Sequence, residues 1–145
     1  MNNVFLFVIM FIAGAAVAAQ PSINGRLAQK VGVLESSFIS FAVGALALLI
    51  VVLMSGRGNL RAISEAAWWE LLGGFLGAFF VSMTIVAVPR IGTASTMAAV
   101  ITAQLITGLI LDSTGAFGLR TFSLDVKRML GVGLLIAGAL LVFRK

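Results

Sequence analysis

Five long apolar runs divide the chain, and short polar stretches separate them. The runs cover residues 4–27, 33–54, 65–88, 93–111 and 126–143. Crossing a hydrocarbon core of about 30 Å takes roughly 20 apolar residues in a helix, with a range of about 17–25. Each run meets that length and is apolar on every side, which a surface helix of a soluble domain is not. The two-residue alternation of a membrane β-barrel is absent. The pattern predicts an all-α membrane protein of one domain with five transmembrane helices, joined by connections too short to hold a soluble domain. Met1-Asn2-Asn3 carries no Lys or Arg, although Ala16-Val17-Ala18 looks like a cleavage site. The first run is therefore expected to be a retained span and not a cleaved signal.

The connections carry their own signals. Ser64 is placed to cap the third helix, with Glu65 in its first turn and Arg61 one turn earlier. Trp68 and Trp69 suit the membrane–water boundary. Pro89-Arg90-Ile91-Gly92 reads as a tight turn that makes helices three and four an antiparallel hairpin. Gly73 and Gly77 on helix three, Gly14 on helix one and Gly133 on helix five head small-xxx-small steps that let helix backbones approach closely. Together these steps predict a compact five-helix bundle.

Composition narrows the chemistry. The 145 residues are 61% hydrophobic and 10% charged, with no Cys and no His. Thiolate and imidazole chemistry is thereby excluded: no Cys/His metal site, no cysteine nucleophile, no Ser-His triad and no disulfide. No nucleophile–base pair or metal cluster stands out, so neither an enzyme nor a cofactor is expected. The net charge of +5 comes from residues that flank apolar runs, so it suits lipid headgroups and not nucleic acid.

The distribution of that charge bears on orientation. The side holding the N-terminus would carry Arg57, Arg61, Arg120, Lys127 and Arg128, and the other side Arg26, Lys30, Arg90, Arg144 and Lys145. Lys and Arg normally collect on the cytoplasmic side, and five against five expresses no preference. One reading is a weak signal overridden by other determinants of insertion. The other is insertion both ways up, with two copies pairing as an antiparallel homodimer. That ten-helix pair would reproduce the inverted repeats of many transporters.

Polar residues inside the spans are the candidate site, because polar groups in lipid are costly and so tend to be functional. Gln104 lies near the middle of helix four, and Gln20 and Asn24 lie toward the far end of helix one. Pro21 removes the amide that would bond the Val17 carbonyl and is expected to kink the helix into a polar notch. Gln104, Gln20, Asn24 and Thr102 are the candidate substrate contacts. The competing interpretation is that these groups merely bridge helices, and the hydroxyls of Ser82, Thr84, Ser95, Thr96 and Thr102 readily return to their own backbone. Asp112 of one copy and Arg26 of another would share a leaflet in an antiparallel pair, which suggests an inter-subunit ion pair.

Gln20-Pro21-x-x-Asn24-Gly25-x-Leu27, Gly73-Gly74-x-x-Gly77, Pro89-x-Ile91-Gly92, and Gln104-Leu105-Ile106 followed by Asp112 and Gly115 resemble the small five-helix YdcZ-like proteins of the drug/metabolite transporter superfamily. The resemblance covers the whole chain. It implies a bacterial inner-membrane protein of five helices, with dual topology where a single gene serves both orientations. Ala103 and Ser113-Thr114 stand where that pattern would have a Gly and a His-Phe pair, which removes one proton carrier. The related four-helix exporters carry a membrane-embedded Glu in helix one, and none is present here. The expected function is a secondary transporter, an exporter of a small neutral, zwitterionic or aromatic solute, alternating access around a midplane polar cavity. Alternatives are a dual-topology small-ion channel and a non-transporting accessory subunit of a larger membrane assembly.

Overall fold

The computed structural model describes residues 2–118 and 121–143. Arg120, Arg144 and Lys145, counted above in the charge balance, lie outside the described residues. Five α-helices follow one another: α1 (Asn3–Val31), α2 (Val33–Ser55), α3 (Leu72–Ile91), α4 (Thr93–Thr114) and α5 (Val126–Phe143). All five coincide with stretches long and apolar enough to span a bilayer, the third counted from Trp68.

The helix ends follow from local chemistry. Asn2 caps α1, its side-chain oxygen accepting from the Val4 amide at 3.2 Å. The helix runs unbroken through Pro21, which is buried, and ends at Val31, four residues beyond the predicted Leu27. At 29 residues it is about 43 Å long, so it must tilt or protrude from a core of about 30 Å. Gly32 separates α1 from α2 at φ 102°, ψ 161°, a conformation open to glycine and strained for other residues. Its amide closes α1 onto Ala28 O, and its carbonyl opens α2 by accepting from Ser36 N.

Helix three departs from expectation at its start. Ser64 does not cap it. The Ser64 hydroxyl donates to Arg61 O within a 3₁₀ turn at Leu60–Glu65. Ala66 and Ala67 are then extended, so no helix runs through them and Arg61 and Glu65 are not one α-helical turn apart. The Glu70 carboxylate accepts from the Ala67 amide at 2.8 Å and starts a second 3₁₀ turn, Trp68–Leu71. Regular α-helix begins only at Leu72. The predicted span 65–88 is thus shifted toward the C-terminus and ends at Ile91. Helix four continues past the predicted Leu111 to Thr114 before Gly115, at φ 62°, terminates it.

The chain divides into two compact units, residues 1–90 and 91–145. In the first, α1 packs on α2, and α2 meets α3 where Phe41 touches the position a Gly77 side chain would occupy. In the second, α4 packs on α5. Among the described residues most of the buried ones are polar: Asn24, Ser36, Ser37, Ser82, Thr84 and Thr96, against Pro21, Val81 and Ile85. Large apolar side chains such as Phe7, Met54, Phe75 and Leu134 are instead more than two-thirds exposed on the lone chain. Soluble folds show the reverse distribution. It fits a chain whose outer surface is solvated by lipid.

Candidate functional site

The first unit buries a seam of hydroxyls and one amide. Ser36 and Ser37 lie one turn into α2, and Ser40 one turn further. Ser36, with no exposed surface, donates to the Asn24 carbonyl at 2.8 Å. The Asn24 amide donates to Ser40 Oγ at 3.2 Å. Ser82 of α3 donates to Ser37 Oγ at 2.9 Å, and the Ser37 hydroxyl in turn donates to Val33 O at 3.0 Å. Hydroxyls and amides bonding across helices hold membrane helices together in this way. Asn24 is therefore occupied in joining α1 to α2, as the bridging interpretation expects. Ser36, Ser37 and Ser40 were not singled out from the sequence. Their signal was three hydroxyls within five residues at the start of an otherwise apolar span.

The neighbouring Gln20 is half-buried in the first unit. Gln104 belongs to the second, and nothing in the fold of either unit joins the two amides. Thr102 donates to Ala98 O at 2.8 Å. It lines grooves with Ala99 and Ala139 and with Ala98 and Leu135, but not the Gln104 cleft. Thr84 and Thr96 also return their hydroxyls to their own helices, at Val81 O and Gly92 O. Ser82 does not, because it reaches Ser37 instead. Of the small-residue steps, Gly77 packs against Phe41, while Gly14, Gly73 and Gly133 face no atom within 4 Å.

The second unit holds an open cleft of about 340 Å³ between α4 and α5. Gln104, Gly108 and Asp112 line it from α4, and Arg128, Val132 and Leu135 from α5. The spacing explains the alignment: residues four apart stack on one helix face, so Gln104, Gly108 and Asp112 form one stripe. Gly108 adds no side chain between the two polar ends. Gln104 is the twelfth of 22 residues in α4, near the middle of the span, and it is exposed on the lone chain. Asp112 lies about 12 Å further along, at 1.5 Å per residue.

The outer end of the cleft is an ion pair. Arg128 Nη2 donates to Asp112 Oδ2 at 3.0 Å, with both side chains a little over one-third exposed. Three further contacts fix this corner. The Phe122 amide donates to Asp112 O at 2.8 Å. The Phe122 ring lies 5.5 Å from the guanidinium carbon, within range of a cation–π contact. Asp125 caps α5 by accepting from the Arg128 amide at 2.7 Å. Asp112 thus has its partner within its own chain, where the sequence suggested Arg26 of a second copy. Arg26 lies in the first unit and is exposed. From the sequence, Arg128 counted only as one loop charge. The missed signal was a basic residue one loop away from an acid at the end of a span.

Residues 5–141 match the protein family described as "Putative inner membrane exporter, YdcZ". The inner membrane protein YdcZ of Escherichia coli (strain K12) is 30% identical over 150 residues, covering 100% of this chain and 99% of that protein. No solved structure matches the chain. The five spanning helices and this full-length likeness together show a multi-pass inner membrane protein, and the chain belongs to the YdcZ family.

Proposed function

We propose that this protein is an exporter of small solutes, a secondary transporter whose working form is an antiparallel homodimer. The observation that carries the reading is the α4–α5 cleft. It links an ion pair near the end of a span to an exposed amide at mid-span. A path of about 12 Å covers most of one leaflet of a core about 30 Å thick. An uncovered glutamine amide at that depth is expensive in hydrocarbon. It must therefore meet a partner helix, water or cargo. A second copy inserted upside down would bring its own cleft in from the opposite face, with both Gln104 side chains near the midplane. Inverted-repeat transporters place substrate at that level. Alternating access would then consist of opening one half-path while the other closes.

In this reading Gln104 contacts the solute. Family membership supports export as the activity. The five-against-five charge balance supports insertion in both orientations.

The test is flux. Purified protein in proteoliposomes is loaded with a mixed pool of small metabolites, and efflux is followed by mass spectrometry. Saturable, solute-selective efflux with carrier-like turnover supports the proposal. Single-channel currents would favour a channel, and absence of any flux would favour an accessory subunit.

A further inference from the structure

We infer that the Asp112–Arg128 pair receives the head group of a zwitterion, so that the cargo is a small molecule bearing an ammonium, a carboxylate and an apolar body. This inference rests on the exporter reading.

The pair is incompletely used. A guanidinium offers a fork of donors that suits both oxygens of a carboxylate, yet Arg128 gives Asp112 one contact, from Nη2 to Oδ2. Its Nη1 is buried and has no hydrogen-bond acceptor among the described residues. A buried charged donor without an acceptor is unfavourable, and a carboxylate in the cleft that Arg128 lines supplies one once the guanidinium turns toward it. Asp112 keeps Oδ1 outside the contact with Arg128. That oxygen is a fitting acceptor for an ammonium. Both side chains remain open enough to be reached.

Charge balance selects a zwitterion over a simple anion or cation. The ion pair is neutral as a unit, and Leu105, Leu109, Val132 and Leu135 make the cleft wall apolar. A solute with net charge would leave an uncompensated charge in low-dielectric surroundings. A zwitterion leaves none. The Asp125 carboxylate, a further acid at this corner, accepts from the Arg128 amide of α5. Between the pair and Gln104 lies room for a body up to about 12 Å long. The cleft volume, about 340 Å³, falls within the usual range for small-ligand sites, roughly 300–1,000 Å³.

The test measures ligand protection of the purified full-length protein against thermal unfolding in detergent. The probes are L-leucine (zwitterion), L-leucinamide (cation) and N-acetyl-L-leucine (anion). Leucine should protect, and each capped analogue should need at least about tenfold more ligand, the least expected for loss of one charge-assisted hydrogen bond. In Arg128→Gln the order should invert in favour of leucinamide. In Asp112→Asn it should invert in favour of N-acetyl-leucine. A purely structural ion pair would produce neither inversion. The inference is overturned if leucine gives no protection or if either capped analogue matches it on the unaltered protein. That comparison stands even if both variants fail to fold. Proteoliposome efflux of other solutes without leucine protection would overturn the inference and leave the exporter reading in place. Absence of all efflux would remove both.

Discussion

The Ser36 hydroxyl, fully enclosed, donates to the Asn24 backbone carbonyl, while the Asn24 side chain reaches back to Ser40. Two reciprocal bonds therefore join α1 to α2 beside Pro21. Interhelical bonds inside membranes average about 0.6 kcal/mol and reach about 1.7. Ser36→Ala should lower stability by an amount in that range, read by reversible unfolding in mixed micelles. Asn24→Leu should cost a similar amount, because it removes the bond to Ser40 and leaves the backbone carbonyl that Ser36 reaches. If both variants unfold like the parent, the seam does not hold the two helices together.

Gly32 sits at φ 102° between α1 and α2. A side chain there would also meet the Glu35 carboxylate. Gly32→Ala is expected to destabilise the protein by roughly 1–3 kcal/mol, the usual cost of forcing a residue into such a conformation. Unfolding midpoints compared with Gly25→Ala, a helical glycine with open space around it, separate this strain from a general glycine effect.

Gln104→Leu keeps the bulk of the side chain and removes its hydrogen bonds. Helicity and stability should hold or rise, because the amide is uncovered on the lone chain and the replacement is apolar. Solute efflux should fall at least about tenfold, a modest figure for a lost polar contact in a dry site. Unchanged efflux would remove Gln104 from the transport path.

Insertion both ways up has a clean assay, since the chain contains no cysteine. Gly58→Cys places one thiol in the exposed connection between α2 and α3, with open space around it. About half of the copies should react with a membrane-impermeant reagent in intact cells, and the rest only after permeabilisation. Labelling of all copies, or of none, in a protein that still transports would refute the antiparallel pair.

The number of spans was legible because apolar length alone decides it. The start of α3 was not. Ser64 followed by Glu65 has the form of a helix N-terminus, but the Glu70-to-Ala67 bond three residues further on outcompetes it, and both sites look alike in one dimension. The interior polar residues were legible as a set, while their roles were not. Asn24 and Gln104 are both amides in apolar runs, and only packing distinguishes the one that is enclosed from the one that is uncovered. Arg128 was invisible as a site residue because its partner is 16 positions away, across a connection whose path back to Asp112 depends on the Phe122 amide.

The inverted interior, hydroxyls within and phenylalanines without, sets how the molecule fails. Each helix satisfies its own backbone, whereas the seams between helices rest on a handful of short bonds. Harsh detergents should therefore leave circular dichroism nearly intact while side-chain order dissolves. Crowded copies should then cohere through their greasy flanks without ever becoming random coil. For this chain a strong helical spectrum is no certificate of a native fold.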